Sequence, residues 1–298
     1  MKLLSLFLTT TLLLTSHTPT QADNHSPIAE NMQLSTYRGV SMEGQLNATD
    51  PEGDALTYQI TTPPMKGELL LADDGSFVYS PKENKRGKDY FGFTATDCNG
   101  NVSQEATVII ALLKPKTDIS YDDMVGTGGY YDALRLAEAG VFIGAQIGNS
   151  HLFSPTATVT RGEFLAMCME LEGSELLSGV SSTGFADDST IPVWQKRYVS
   201  TALMHGAILG TNSGGNATFD AMSDITCGEA AEMVNRIFRF SKVSVSAMNV
   251  PLSDTEQAVA NLVACHILPA GCDMDQLLNR GMAADLLSGV MDVLANRT

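Results

Sequence analysis

A short motif that occurs three times constrains the fold of this chain more than any other feature. Residues 159–163 read Val-Thr-Arg-Gly-Glu and begin an apolar run with helical spacing. Residues 225–229 read Ile-Thr-Cys-Gly-Glu, 66 positions later, and residues 278–282 read Leu-Asn-Arg-Gly-Met, a further 53 positions on. Because the same apolar spacing follows each copy, the pattern indicates three structural repeats, with a helix beginning at each motif.

The region from residue 121 onward predicts two helices in each repeat, joined by a glycine-containing loop. The first helices are predicted at about 130–139, 193–204 and 255–265, and the second helices at about 161–171, 227–238 and 280–295. We assign the repeats to residues 121–175, 182–240 and 247–298, the last of them degenerate. The glycine-rich stretches 126–129 and 210–215 are predicted as loops. Three equal pairs predict an all-α bundle with pseudo-threefold symmetry.

The motif contains its own signal for beginning a helix. Thr160 with Glu163, and Thr226 with Glu229, have the spacing of a capping box, in which a hydroxyl and a carboxylate satisfy backbone N–H groups reciprocally. We therefore predict structural roles for these four residues. The third repeat keeps an N-cap but has a methionine in place of the acid.

The first third of the chain has a different pattern. Residues 1–22 carry a lysine, an apolar run and small residues, which predict a secretory signal peptide too short to span a membrane. Residues 23–113 alternate apolar and polar positions with frequent turn signals, which predicts a β-sandwich of about seven short strands. The polar residues 114–120 form the predicted linker to the helical region. No membrane span is expected after removal of the signal.

Three strings in this segment resemble the cadherin-like, immunoglobulin-like modules of bacterial surface proteins. Residues 48–58 read Ala-Thr-Asp-Pro-Glu-Gly-Asp-Ala-Leu-Thr-Tyr, residues 75–81 read Gly-Ser-Phe-Val-Tyr-Ser-Pro, and residues 89–97 read Asp-Tyr-Phe-Gly-Phe-Thr-Ala-Thr-Asp. The resemblance implies a spacer or adhesive module. Four acids offer hard oxygen ligands for calcium, or are simply turn formers: Asp50, Glu52, Asp54 and Asp97.

Charge and cysteine content restrict the partners. The net charge of −16 disfavours nucleic acid, and an anionic polysaccharide would have to be held by local cations. The acidity alternatively serves only to keep an exported protein soluble. Five cysteines exclude a fully paired disulfide scaffold. Cys168 is predicted in the core, whereas Cys265 and Cys272 are either a local disulfide or two free thiols.

The two arginines of the motif have no evident structural reason to be there. Arg161 and Arg280 occupy the first turn of a helix, where a cation opposes the helix dipole. A guanidinium beside exposed helix N–H groups would form a site for a carboxylate or phosphate. The alternative is that each is a solvated surface arginine.

Residues 121–298 resemble S-layer homology repeats through the Thr-Arg-Gly-Glu string, a phenylalanine ahead of it, the glycine loop, and Phe-Ala-Asp at 185–187 ahead of Trp194. The resemblance implies noncovalent anchoring to wall polysaccharide whose sugars carry pyruvate ketals, and each ketal presents a carboxylate. It also implies glycan contacts from the following residues: Arg161, Arg280, Trp194, Asp123 and Asp187.

This chain departs from the family pattern at several of these positions. Cys227 replaces the arginine of the second repeat, while Gly128 and Asp254 take the tryptophan positions of the first and third repeats. No repeat is complete, so a site would need parts from two repeats. Trp194 is the only tryptophan in the chain, and it is alternatively an aromatic at the edge of the core.

Sequence motifs for catalysis are absent. The five histidines lack metal-ligand spacing, and no zinc-protease, serine-hydrolase or P-loop string occurs. We therefore expect a noncatalytic, exported surface protein without a cofactor other than, at most, calcium. The alternative is a component of a surface assembly whose repeats no longer bind glycan and whose contacts are with proteins.

Overall fold

The computed structural model describes residues 24–148, 150–213, 216–240 and 252–297 of the 298-residue chain. The predicted signal peptide lies outside the described residues, as do positions 214–215 of the glycine-rich stretch and the start of the predicted third repeat. None of the helices in the described part is both long and apolar enough to cross a bilayer.

The first described segment is a β-sandwich. Its strands are β1 (Ile28–Ala29), β2 (Met32–Tyr37), β3 (Met42–Gln45), β4 (Ala48–Thr49), β5 (Thr57–Thr62), β6 (Gly67–Leu71), β7 (Ser76–Pro81), β8 (Gly87–Thr96) and β9 (Ala106–Leu113). One sheet has the order β2-β9-β8-β5, and the facing sheet has the order β3-β7-β6, while β1 pairs with β4. Strands β2 and β9 run parallel, and the other pairs are antiparallel. The two main sheets therefore supply the seven strands that the sequence predicts.

The alternating apolar residues of these strands fill the space between the sheets. Phe77, Tyr79, Phe93 and Ile110 are buried together, with the Phe77 and Phe91 rings edge to face at 5.4 Å. The Tyr79 hydroxyl donates to the buried Asp89 carboxylate at 2.8 Å, so the polar end of the tyrosine is satisfied inside the sandwich.

The C-terminal part contains helices α1 (Tyr130–Glu138), α2 (Arg161–Glu172), α3 (Val193–Met204), α4 (Cys227–Phe238), α5 (Asp254–Ala264) and α6 (Arg280–Ala295). Short turns of 3-10 helix at Asp122–Met124 and Asp188–Thr190 precede α1 and α3. These bounds agree with the predicted helices to within one residue. We call α1 with α2 the first unit, α3 with α4 the second, and α5 with α6 the third.

The prediction of an all-α region is wrong in one respect. The loop of the first unit contains a hairpin of β10 (Ala145–Ile147) and β11 (Ser150–Leu152), and that of the second contains β12 (Thr211–Ser213) and β13 (Asn216–Thr218). Gly148 at the first hairpin turn has φ 65°, a conformation that glycine adopts without strain. Gly148 therefore stands at the turn of a hairpin in a loop for which the sequence predicts no strand.

A closed ring of backbone hydrogen bonds joins the three units. The Val159 N–H donates to the Leu278 carbonyl at 3.0 Å, Leu278 donates to Ile225 at 2.9 Å, and Ile225 donates back to Val159 at 3.1 Å. All three side chains are buried. Each ring residue lies directly before the N-cap of a second helix. The ring therefore places the beginnings of α2, α4 and α6 close to one another.

The sandwich packs directly against the first unit. Tyr37 and Tyr131 have ring centroids 5.6 Å apart, the Tyr37 hydroxyl donates to Glu138 at 2.8 Å, and Ser35 and Tyr131 share a hydroxyl hydrogen bond of 2.9 Å. Tyr37 is also buried within the helical core. The packing of the two tyrosine rings and the hydrogen bonds of their hydroxyl groups together hold the sandwich against the first unit.

Candidate functional site

Three equivalent places arise where the second helix of one unit meets the first helix of the next. We call the contact of α2 with α3 the first junction, that of α4 with α5 the second, and that of α6 with α1 the third. Each junction contains one copy of the repeated motif, at the start of α2, α4 or α6. The candidate glycan residues therefore fall at junctions, with parts from two units as the sequence requires.

The caps of these helices are formed as the motif predicts. The Thr160 hydroxyl accepts the Glu163 N–H at 3.3 Å while the Glu163 carboxylate accepts the Thr160 N–H at 3.0 Å, and Thr226 and Glu229 repeat both bonds at the same lengths. Asn279 caps α6 alone, accepting the Met282 N–H at 2.9 Å. A further capping box that sequence reasoning missed, Ser253 with Glu256, begins α5.

The helix N–H groups are not exposed, contrary to the expectation from the motif. The N–H groups of Arg161 and Gly162 donate to carbonyls of the second unit, those of Cys227 and Gly228 to the third, and those of Arg280 and Gly281 to the first, at 2.8–2.9 Å. With the next N–H taken by the cap, the first turn has no donors left for an anion. Recognition of a carboxylate at a junction would therefore fall to the side chains.

Arg161 lies in the first junction between an aromatic ring and an acid. Its guanidinium carbon is 5.3 Å from the centre of the Phe219 ring, and Nη1 is 3.5 Å from Glu229 Oε1. At that length the carboxylate holds the arginine only loosely. The side chain is 18% exposed, so it is neither fully solvated nor sealed in the core.

Trp194 lies on the other side of the same junction. It is 53% exposed and contacts the buried Tyr198 edge to face at 6.2 Å, so one side of its ring is open to solvent while the other lies at the edge of the helical core. The adjacent Gln195 is buried against Gly162, where a β-carbon would overlap its amide group. In sequence, Arg161 and Trp194 directly precede Gly162 and Gln195, the two residues at which α2 and α3 touch.

Gln195 is a candidate that sequence reasoning missed. It is only 2% exposed, yet its Oε1 atom is buried without a hydrogen-bond partner in the described residues. An unsatisfied buried acceptor costs about 1–3 kcal/mol, so Gln195 makes this contact between α2 and α3 locally unfavourable. No motif signals it, because a glutamine inside a helix has no special spacing.

The third junction has the other arginine but a different surrounding. The Arg280 guanidinium carbon lies 5.2 Å from the Phe142 ring centre, and Nη1 donates to the Phe153 carbonyl at 3.3 Å. No ion pair of Arg280 is found within the described residues. Across the junction, Gly128 is covered by Glu43 of the sandwich, whose carboxylate occupies the position of a side chain there. The sandwich therefore lies where a tryptophan would otherwise project.

The two aspartates predicted as glycan contacts both accept backbone N–H groups. Asp123 accepts the N–H groups of Phe153 and Ser154 at 3.0 and 2.6 Å, and Asp187 accepts those of Phe219 and Asp220 at 3.0 and 2.8 Å. Each carboxylate oxygen thus has a backbone donor. These bonds fix the turn that presents the phenylalanine to the arginine, which is a positioning role.

The four acids considered for calcium lie at one end of the sandwich, with nitrogen donors around them. Asp50 accepts the N–H groups of Glu52 and Asp54 at 3.0 Å. Asp97 accepts those of Asn99 and Asn101, and an Asn24 amide besides. Glu52 pairs with His25, and the hydrogen bonds from His25 lower the pKa of the Glu52 carboxyl. No group of three or more metal-ligating side chains suited to an ion is found in the described residues.

Comparison with known proteins now identifies the class to which the sandwich is similar. Residues 18–114 match the sequence profile of the bacterial cadherin-like domain family. This agrees with the described sandwich, and it covers about a third of the chain.

One curated relative is the "Surface-layer 125 kDa protein" of Lysinibacillus sphaericus, 28% identical over 195 residues. The match covers 57% of this chain, about 170 of 298 residues, so it must extend beyond the 120 residues that precede the helical region. It covers only 16% of the relative, so the chain spans about a sixth of that protein's length.

Similar solved structures match about a third of the chain. They include an endo-fucoidan hydrolase of glycoside hydrolase family 107 (23% identity, TM-score 0.26, 32% of this chain and 14% of that one). The SrpA adhesin of Streptococcus sanguinis is 18% identical with a TM-score of 0.26 and coverage of 33% and 67%. Human protocadherin-24 is 17% identical with a TM-score of 0.24 and coverage of 30% and 44%. Scores this low establish nothing about function.

Proposed function

We propose that this chain is a noncatalytic cell-surface protein that binds an acidic, pyruvylated wall polysaccharide at the first junction and displays its sandwich as a spacer or adhesive module. The similarity to a surface-layer protein and to the cadherin-like family supports the location. The S-layer homology resemblance of the helical region, together with the ring that joins its three units, supports a pseudo-threefold anchoring bundle.

The observation that carries the proposal is that one junction has both an exposed tryptophan and a loosely paired arginine, which flank the contact between Gln195 and Gly162. Arg161 would bind the ketal carboxylate, because its guanidinium has donors beyond the long contact with Glu229. Trp194 would stack on the face of a sugar ring, since over half of its surface is exposed.

Arg280 would provide a second, weaker contact in the third junction. Its guanidinium is free of ion pairs among the described residues, but the facing position is Gly128, covered by Glu43. A carboxylate could bind there without an aromatic platform beneath the sugar. We therefore expect most of the affinity to come from the first junction.

The test compares single variants of the full chain for retention on purified wall polysaccharide. Loss of one charge-assisted contact costs about 1.5–3 kcal/mol, so Arg161→Ala should weaken binding at least tenfold. Trp194→Ala should weaken it by a similar factor, and Arg280→Ala by less. Arg86→Ala removes an exposed arginine of the sandwich, far along the chain from the motif; it is the matched control and should bind as the parent does.

Unchanged retention of both Arg161→Ala and Trp194→Ala, with far-ultraviolet circular dichroism like the parent's, would overturn the proposed site. Retention of Arg161→Ala with loss in Arg280→Ala would move the site to the third junction.

A second candidate function is a structural component of a surface assembly in which the junctions only hold the fold. The hydrogen bonding of the helix starts favours it, since the first-turn N–H groups and both aspartates are used internally. In that case the parent chain would not be retained on wall polysaccharide at all, while still associating with other surface proteins.

A further inference from the structure

The three junctions share one backbone pattern, and this pattern defines which residues face each other. The glycine of each motif donates its N–H to a carbonyl of the next unit: Gly162 to Ala221, Gly228 to Met274 and Gly281 to Pro155, each at 2.9 Å. The residue two places before each of these carbonyls is therefore equivalent in the three units. Those residues are Phe219, Cys272 and Phe153.

At two junctions this equivalent residue contacts the arginine of the motif. Arg161 lies over the ring of Phe219, and Arg280 donates to the carbonyl of Phe153. At the second junction both members of the pair are different, and both are cysteine: Cys227 replaces the arginine and Cys272 replaces the phenylalanine. If the arginine had simply been lost at this junction, the facing residue would have no reason to be cysteine as well.

The surroundings of the two thiols agree with this pairing. Cys227 is only 4% exposed and Cys272 is half-buried, and both are free thiols in the structure. Burial raises the pKa of the Cys227 thiol, and the neighbouring Cys272 and Asp273 raise it further. Burial and Asp273 likewise raise the pKa of Cys272. The N–H groups of Cys227 and Gly228 donate to the Gln276 and Met274 carbonyls at 2.8 and 2.9 Å, so the chain segment that contains Cys272 lies against the start of α4.

We propose that Cys227 and Cys272 form a dithiol site that a small-molecule disulfide converts to an intramolecular disulfide, fastening the second unit to the third. The proposal does not depend on glycan binding. It replaces the sequence-based pairing of Cys265 with Cys272, which rested on closeness along the chain alone, by a pairing across the junction.

The chemistry is two successive thiol–disulfide exchanges. One cysteine, as its thiolate, attacks the small disulfide, forms a mixed disulfide and releases one small thiol. The second cysteine then attacks the mixed disulfide, forms the Cys227–Cys272 bond and releases the second small thiol. Two protein thiols are oxidised and one external disulfide is reduced to two thiols, so atoms and electrons balance.

The rate should depend on pH, because the thiolate is the attacking species. Both thiols have raised pKa values, so the thiolate fraction below them grows about tenfold per pH unit. We expect slow closure at pH 7 and a rate about a hundred times higher at pH 9.

The test uses the full chain with Cys98→Ser and Cys265→Ser, treated with oxidised glutathione. Removing Cys98 eliminates an exposed thiol, and removing Cys265 leaves Cys272 as the one cysteine on its tryptic peptide. We expect the loss of two of the three remaining thiols and a linked peptide pair joining Cys227 to Cys272. The matched control adds Cys272→Ser and should form no internal link. If Cys265→Ser impairs folding, as judged by circular dichroism, Cys265→Ala takes its place.

Two results would overturn the proposal. One is that all three thiols persist at pH 9 in the folded variant. The other is that the parent chain loses two thiols and forms a bond between Cys265 and Cys272, which lie on one tryptic peptide, while no linked peptide pair that includes Cys227 is found.

Discussion

Glycine occupies the second helical position in all three copies of the motif. The space that the neighbouring unit leaves around this glycine differs from one junction to another. A β-carbon at Gly228 would lie 2.9 Å from Thr255 Cγ2 and 3.1 Å from the Met274 carbonyl oxygen. At Gly281 the nearest atoms would be 3.3–3.5 Å away. The motif glycine is therefore a packing requirement at the second junction and much less so at the third.

Gly228→Ala should destabilise the chain by about 1–3 kcal/mol, because it overfills a packed contact that includes backbone. Gly281→Ala is the matched control. There the gain in helix propensity, about 1 kcal/mol, should offset the mild crowding and leave stability near the parent's. Urea unfolding of both variants measures this. Equal destabilisation would show that the junctions are packed alike.

Asp187 offers a test of positioning against direct ligand contact. Asp187→Ala leaves two backbone N–H groups without an acceptor, so we expect a loss of about 1–3 kcal/mol in the free energy of unfolding. A residue that only contacts glycan would instead lose affinity at unchanged stability. Denaturant unfolding together with a binding titration separates the two outcomes.

At the level of elements, the sequence predicts where helices begin and end but not what their first N–H groups contact. Apolar spacing and capping residues are local signals, and the bounds of α3, α4 and α6 follow from them without error. The carbonyls that receive the N–H groups of Arg161 and Gly162 come from residues about 60 positions away. That pairing exists only once the three units close their ring, so no local pattern could reveal it.

The same distinction explains the rest of the site. Arg161 was identifiable from its place in the first turn of a predicted helix and Trp194 from the resemblance to S-layer homology repeats. The unsatisfied Gln195 depends instead on how α2 and α3 cross. The hairpin between α1 and α2 was missed because its strands have three residues each, too few for an alternating pattern.

The contact of α1 with α6 contains a half-buried acid that should make stability pH-dependent. Asp132 lies beside a cleft of about 1590 Å³ between the sandwich and these helices, near Ser288, Asp285, Arg135 and Asp292. Burial raises its pKa from 3.8 to about 7, with the charge of Asp285 adding to the effect and the Ser288 hydrogen bond opposing it.

The sign follows from proton binding in the two states. Between pH 3.8 and 7 the folded chain keeps the Asp132 proton that the unfolded chain has lost, so this residue's contribution to stability is present at low pH and declines as the pH rises. The slope should approach, at most, about 1.4 kcal/mol per pH unit. Asp132→Asn should flatten the curve, and the exposed Asp122→Asn should not. Urea midpoints from pH 4 to pH 8 would reveal either result.

At the level of the whole molecule, the sandwich does more than extend from the helical region. Tyr37 is buried in the helical core, and Glu43 covers Gly128 at the third junction. The three junctions therefore differ: one has an arginine and an exposed tryptophan, one has a cysteine at both equivalent positions, and one has an arginine opposite a glycine that the sandwich covers. Three similar units thus form three chemically different junctions.

The carboxylates at the end of the sandwich should not require an ion. Asp50 and Asp97 already accept backbone N–H groups, which hold their loops without calcium. We expect the melting temperature to be the same with excess chelator and with millimolar calcium. A calcium-dependent rise would indicate an ion that binds the folded state, with the stabilisation that mass action requires.

The central claim is that the first junction recognises the carboxylate of a pyruvate ketal on a wall sugar. The most direct measurement is the dissociation constant of the full chain for native wall polysaccharide and for the same polysaccharide after removal of its ketals. We predict that removal weakens binding at least tenfold for the parent chain, and that Arg161→Ala binds both forms equally weakly. Equal affinity of the parent chain for the two forms would contradict the claim.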